Sequence, residues 1–365
     1  MTRFTLVYSA VVSLIICFKL EANNDNYKYG GIVVNGWEFV KELFIQNFID
    51  GHDLGASLAI YYNGKVVVDL WGGWFDKRKI QLYDNNTLQL VYSTSKGLVA
   101  MAVALCVQNG LLTYNELVTK YWPEYGQNGK ENTTIADIMS HRAGLPALSN
   151  YNLSLDQHLD WYEMIHALEK QSPYWIPGTM HGYHALTYGW LAGELVRRVD
   201  TKHRTVGQFI REEIADRTES EFYIGLPADM EHRVSPLALK SNEQQVVLNI
   251  ENFPLLQESM RNPLLESDIF NDPRVHQAEI PAVNGITNAR SLARIYASLI
   301  GDLDDEKLKR LLNEETLKIA IKSNTPENEP DQVGMNLPTS WGMGFMTYGE
   351  LFNPFGQGTF GHTGR

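Results

Sequence analysis

Leu98, Val99, Met101, Ala102, Val103, Ala104, Leu105, Cys106 and Val107 form a run that is apolar on every side of a helix. A helix without a polar face is stable only when other elements enclose it, so this segment demands a complete shell around it. Asn109-Gly110 stops it as a C-cap would. At its other end stands Ser93-Thr94-Ser95-Lys96. Residues i and i+3 share a helix face, which puts Lys96 one turn above Ser93 and within reach of its Oγ. In the first turn Ser93 would also have backbone N–H groups around it that no helical partner takes. A serine hydroxyl is a weak nucleophile until a base takes its proton, and a neutral amine can be that base. Burial and the positive end of the helix dipole both disfavour an ammonium there, which lowers the pKa of Lys96 toward this use. Read alone, the same four residues also describe a serine N-cap followed by an exposed lysine.

The chain can supply the shell. Its 365 residues, 44% hydrophobic and 20% charged, fit a globular protein of two packed subdomains rather than one small core. A formal net charge of −12 and the absence of any basic run argue against nucleic acid or an anionic membrane as the main partner. Residues 1–22 differ from the rest: Arg3 precedes a largely apolar run from Phe4 to Phe18, then Lys19, Glu21 and Ala22 lead into polar sequence. This reads as a secretory signal peptide, since the apolar run is shorter than the roughly 20 residues of a membrane span, and it predicts a secreted protein. Cys17 would leave with it. Cys106 alone cannot form an internal disulfide, and it reads as a small core residue rather than a nucleophile. Asn85-Asn86-Thr87, Asn132-Thr133-Thr134 and Asn152-Leu153-Ser154 are glycosylation sequons compatible with secretion.

Periodicity orders the chain. Trp37, Val40, Phe44 and Phe48 mark an amphipathic helix from Trp37 to Ile49. Ser57–Tyr62 and Lys65–Leu70 are β-rich runs joined by Asn63-Gly64, a tight hairpin turn. Thr113-Tyr114-Asn115-Glu116 is a capping box that predicts a helix ended by Pro123. Further helices are expected over Thr133–His141, Gln157–Leu168, Leu186–Val199 and Val206–Ile214, and another from Ala289 to Ile300 capped by Thr287. Residues 226–280 show no clear period and read as a long connection over a cleft. The Gly-rich tail from Trp341 reads as strands. Strands early, helices in the middle and strands late imply a sheet closed by distant segments, residues 35–92 and 281–365, with a helical insertion over 93–280. Ser93 begins the insertion, and such junctions are where clefts form.

Two further segments complete a pattern with Ser93 and Lys96. Tyr183-His184-Ala185 stands just before a helix, and Gly361-His362-Thr363-Gly364 closes the final strand. With these three marks in this order, residues 23–365 resemble the penicillin-binding-protein and class C β-lactamase superfamily, defined by SxxK, Y-x-N/S/A and K/H-T-G. Gly55–Ile60, His141-Arg142-Ala143-Gly144-Leu145-Pro146 and Trp190–Gly193 support the resemblance, which points most toward the β-lactamase-related esterases and their eukaryotic relatives. It implies an α/β (α+β) fold of the β-lactamase/transpeptidase type, an antiparallel sheet flanked by helices with an inserted helical subdomain and the active site between. It further implies that Ser93 is acylated, that Lys96 and Tyr183 activate it as one base system and return a proton, and that His362, Thr363 and Gly364 line the substrate edge. Arg365 would supply the second oxyanion-hole N–H.

Departures from the pattern bear on substrate. Ala185 stands where true β-lactamases place an asparagine that binds the substrate amide, and His362 replaces a lysine whose fixed charge faces a carboxylate. Both changes suit a small neutral ester, so a carboxylesterase is expected. The resembled family continues beyond the position of Arg365 with further strands and a terminal helix, so a truncated form used as an inactive scaffold or binding protein is the first alternative. A β-lactamase or D-Ala peptidase-like amidase is the second. His184 is open between a polar group supporting Tyr183 and a structural histidine. No metal-ligand spacing, P-loop, dinucleotide motif or G-x-S-x-G elbow occurs, and neither a metal nor an organic cofactor is expected.

Overall fold

The computed structural model describes residues 11–15, 28–148, 151–238, 252–265, 268–348, 356 and 358–364. Its main sheet is antiparallel, with the order β1-β3-β4-β2, where β1 is Val11–Ile15, β2 Tyr29–Val33, β3 Gly55–Tyr62 and β4 Lys65–Gly73. The expected hairpin is β3–β4. Asn63 and Gly64 both take positive φ, 49° and 74°, as a type I′ turn requires. β1 lies inside the apolar run read as a leader, and it pairs along β3 from Val11 opposite Tyr61 to Ile15 opposite Ser57. The remainder of that leader lies outside the described residues.

Alternation along β3 sends side chains to two different helices. Leu58 and Ile60, with Val68 and Leu70 of β4, pack on Val40, Phe44 and Phe48 of α1 (Glu38–Ile49). Ala59 and Tyr61 pack on the other face against Ala289, Ala293 and Ala297. Those three alanines form an i, i+4, i+8 stripe on helix Ala289–Ile300, which lets it lie close to the strands. The sheet is therefore covered on both faces, and β3 is buried from Gly55 to Tyr61.

Helix α2, Ser95–Gln108, is the apolar run, and Leu98 through Ala104 have no exposed surface. Helices Thr187–Val199, Val206–Ile210 and Glu314–Ile321 pack around it. Burying each of its larger aliphatic side chains stabilises the fold by about 1.5–3 kcal/mol. Two small sheets stand apart from the main one: β5 (Gln89–Leu90), β6 (Phe222–Tyr223) and β7 (Ile286–Thr287) in the order β5-β7-β6, and β8 (Met346–Thr347) with β9 (Phe360–Gly361).

Several local expectations are corrected. Thr113-Tyr114-Asn115-Glu116 closes a turn through the Glu116 N–H and Thr113 O, and the Glu116 carboxylate pairs with Lys120 and Tyr121 instead of capping a helix. Only short 3-10 turns follow, at Val118–Lys120 and Pro123–Tyr125. The helix expected over Gln157–Leu168 is two, Leu155–Leu159 and Trp161–Lys170, because Asp160 adopts extended backbone and caps the second through the N–H groups of Tyr162 and Glu163. Thr287 lies in β7; the cap of Ala289–Ile300 is Asn288, which accepts the Ser291 N–H at 2.8 Å. Within 226–280 the described residues form short helical turns, Pro254–Met260 and Pro273–Gln277 among them.

Asp53, before β3, is only 3% exposed. Burial pushes its carboxyl up to about 6, against smaller opposing effects of Asn47 and His52. A group whose pKa is higher folded than unfolded adds stability at low pH, and that contribution is lost as pH rises through the folded value. Asp53→Asn is therefore expected to raise Tm at neutral pH, with the gain fading below about pH 4. Thermal denaturation of both proteins across that range checks this; a constant difference would contradict it.

Candidate active site

The chain enters α2 through a tight turn. Tyr92 has φ 47°, a left-handed conformation that is costly for a residue other than glycine. The N–H groups of Thr94, Ser95, Lys96 and Gly97 then bond the carbonyls three residues back, at 2.9–3.2 Å, a 3-10 entry. Ser93 consequently stands just before the N-cap, Thr94, rather than in the first turn. Ser95 locks the entry: its hydroxyl donates to Tyr92 O and accepts the Gly285 N–H at 2.8 Å. A Cβ at Gly285 would lie 2.6 Å from that Oγ, so only glycine permits this approach.

Lys96 has no exposed surface. Its Nζ lies 3.1 Å from Ser93 Oγ, 2.7 Å from Ala185 O and 3.0 Å from Ala282 O. Burial holds the amine well below the usual lysine range. A neutral amine has two N–H donors and one lone pair, and it meets here two carbonyls, which only accept, and one hydroxyl, which can donate. The partner set fits the free base, with Ser93 as the proton donor.

Tyr183 completes the group, with the Ser93 side chain beside its hydroxyl. Burial pushes the phenol above its usual range, and the neighbouring Ser93 hydroxyl opposes this only in part. Burial drives both members of the base pair, Lys96 and Tyr183, to their neutral forms. The Tyr183 ring lies 4.9 Å from Lys96 Nζ and stacks on Trp341, with centroids 5.6 Å apart and planes 18° from parallel.

His362 is buried 6.1 Å from the Tyr183 ring and 5.4 Å from Trp341. Its Nδ1 faces Thr363 O at 2.7 Å, which assigns the proton to Nδ1 and leaves Nε2 as an acceptor. Burial pushes it down to about 3, so the imidazole is neutral. Thr363 and Gly364 are exposed. A Cβ on Gly364 would lie 2.2 Å from Val91 O, so the end of the last strand runs against the turn that carries Ser93. Arg365 lies outside the described residues.

Sequence reasoning did not reach several contributors. Ala282 serves only through its carbonyl, as Ala185 does, and a carbonyl leaves no side-chain signature. Trp341 is the face on which Tyr183 rests, although the Trp341-Gly342 pair at the start of the Gly-rich tail was a usable signal. His184 is structural: its Nε2 accepts the Leu145 N–H at 2.9 Å and its Nδ1 donates to Gly182 O at 2.6 Å. Burial pushes it down to about 4, and it ties the turn after His141 to the tyrosine segment. Cys106 is buried, its thiol pushed up to about 12, and it plays no part. Among the described residues no cluster of His, Cys, Asp and Glu is placed to hold a metal ion.

A serine whose hydroxyl is shared by a buried lysine and a tyrosine, beside an antiparallel sheet and at the head of an enclosed helix, defines the serine hydrolases of the β-lactamase/transpeptidase-like fold. The beta-lactamase family model matches residues 41–365, and the chain belongs to that family. It is 30% identical over 318 residues to Esterase/beta-lactamase LipL of Mycobacterium tuberculosis, covering 83% of this chain and 71% of that protein. Among solved structures, a family VIII carboxylesterase matches with a TM-score of 0.83 at 32% identity, over 92% of this chain and 88% of that one. EstA from Arthrobacter nitroguajacolicus Rue61a matches at 0.78 and 30% identity, over 92% and 87%.

The free-base geometry predicts that Ser93 reactivity toward a fluorophosphonate rises with pH through the lowered pKa of Lys96 and then stays level. Lys96→Arg, which keeps the charge at every accessible pH, is expected to slow labelling by about 10² or more. Labelling at wild-type rate in that variant would remove Lys96 from the role of base.

Proposed function

We propose that this chain is a carboxylesterase acting on small neutral esters through an acyl-enzyme on Ser93. The observation that carries this reading is the enclosure of Lys96 Nζ by two carbonyls and the Ser93 hydroxyl. Lys96 takes the Ser93 proton as Oγ bonds the ester carbonyl carbon. As the tetrahedral adduct collapses, the carbon–alkoxide bond breaks and the Tyr183 hydroxyl gives its proton to the departing oxygen; Lys96 returns a proton to Tyr183. Water then attacks the acyl carbon, its proton passes to the same pair, and Ser93 leaves as the alkoxide and regains its hydrogen.

The groups around Ser93 support a neutral substrate. His362 offers a lone pair at Nε2 rather than a positive charge, and a lone pair repels a carboxylate. Ala185 presents a methyl where an amide-binding side chain would be needed. The similarity to LipL and to a family VIII carboxylesterase points the same way. An oxyanion donor at Arg365 belongs to this reading as well, together with the N–H of Ser93.

The test pairs a covalent probe with two substrates. A fluorophosphonate should label the chain at Ser93, and Ser93→Ala should abolish labelling. The kcat/KM for p-nitrophenyl butyrate should exceed that for nitrocefin by about two orders of magnitude. A ratio favouring nitrocefin would sink the ester assignment, and absence of labelling would sink the hydrolase reading and favour a non-catalytic scaffold.

A further inference from the structure

The segment between helix Glu314–Ile321 and Trp341 folds back over the tyrosine segment as a strap. Its middle closes on itself through a bridge between Pro330 and Pro338. Glu329 anchors it, its carboxylate taking both Arg142 and the Nδ1 of His181. The Gln332 N–H reaches His181 O at 3.0 Å, so the strap lies against the backbone two residues before Tyr183. Gly182 allows that closeness, since a Cβ there would meet Val333 at 3.1 Å and Gln332 at 3.3 Å.

Within the strap one carboxylate is turned inward. Asp331 is 1% exposed. Its Oδ1 accepts the N–H groups of Tyr183 at 3.0 Å, Val333 at 2.9 Å and Gly334 at 2.8 Å. Its Oδ2 accepts the Thr339 hydroxyl at 3.0 Å, and that same hydroxyl oxygen accepts the Trp341 indole N–H at 3.0 Å. The Trp341 ring is the surface on which Tyr183 stacks. Asp331 thus holds Tyr183 twice, by its backbone directly and by its ring face through Thr339 and Trp341. No other carboxylate among the described residues contacts the backbone of Tyr183 in this way.

We infer that Asp331 is the positioning residue of the site, fixing Tyr183 so that its hydroxyl stays on Ser93. This rests on the hydrolase reading above. The negative charge of Asp331 also opposes ionisation of the phenol, which keeps Tyr183 in the form that can donate a proton. A purely structural role would be redundant, because Glu329, the Gln332 N–H and the Pro330–Pro338 bridge already close the strap. What Asp331 adds is the link to Tyr183. Displacement of a reacting group by about 1 Å costs on the order of 10²-fold in rate.

A double-mutant cycle on the full chain separates positioning from stability, read as the rate constant of fluorophosphonate labelling with Tm measured alongside. Asp331→Ala is expected to slow labelling about tenfold to a hundredfold. The same change in a Tyr183→Phe background is expected to cost less than about twofold, since the hydroxyl it positions is already gone. Asp331→Asn keeps an oxygen for the three N–H groups and an amide for the Thr339 oxygen, and is expected to restore the rate to within about fivefold of wild type. Equal losses in both backgrounds would overturn the proposal and leave Asp331 structural, as would full reactivity of Asp331→Ala. Wild-type chain that fails to label would instead overturn the hydrolase reading on which the proposal stands.

Discussion

The concealment of one amine governs this structure. A lysine ammonium in a buried interior carries a desolvation cost of several kcal/mol unless it is matched by charge, and among the described residues the hydrogen-bond partners of Lys96 Nζ are a hydroxyl and two carbonyls, none of them a carboxylate. The amine is neutral for that reason, and neutrality turns a serine neighbour into a proton donor. The all-apolar α2 provides the dry setting. The 3-10 entry, the Ser95 lock and Gly285 set the angle at which Lys96 and Ser93 meet. Sheet and helical body converge on that point because the carbonyls that receive the amine come from both sides of the junction.

Around the amine, irregular backbone does the holding. The turn at His141, the tyrosine segment and the strap before Trp341 contain little repetitive structure, yet each is fixed to the next by side chain–backbone bonds: His184 to Leu145, Arg142 to Gly178, Asp331 to Tyr183. Buried backbone groups outside helices and sheets need partners, and here polar side chains supply them. This explains the density of buried His, Asp and Thr near an otherwise apolar centre. It also places rigid hydrogen-bonded loops, not helices, around Ser93.

What was legible in the sequence follows the range of the interactions. The enclosed helix, the β3–β4 hairpin and helix α1 were legible because their periodicity is local and strong. Ser93, Lys96, Tyr183 and His362 were legible because three motifs kept their order. The carbonyl of Ala282 was not, since any residue would supply it. Asp331 was not, since the partner that ties it to the site, the Tyr183 N–H, lies 148 residues away. Thr113 and Thr287 misled because other bonds won over the capping pattern: Glu116 took the nearby side chains of Lys120 and Tyr121, and Thr287 joined the β7 ladder. Neutrality of Tyr183 lay beyond motif reading because it depends on how completely the fold buries a hydroxyl.

The two carbonyls that receive Lys96 Nζ are separated from it by 89 and 186 residues of chain. During synthesis the serine emerges long before the second of them, and in water Lys96 is an ordinary ammonium that cannot take a proton. A chain in which those segments have not met thus leaves Ser93 without a free base beside it. The pairing of serine and amine is a property of the closed junction alone, formed when Ala185 and Ala282 are both in place and lost whenever that junction opens.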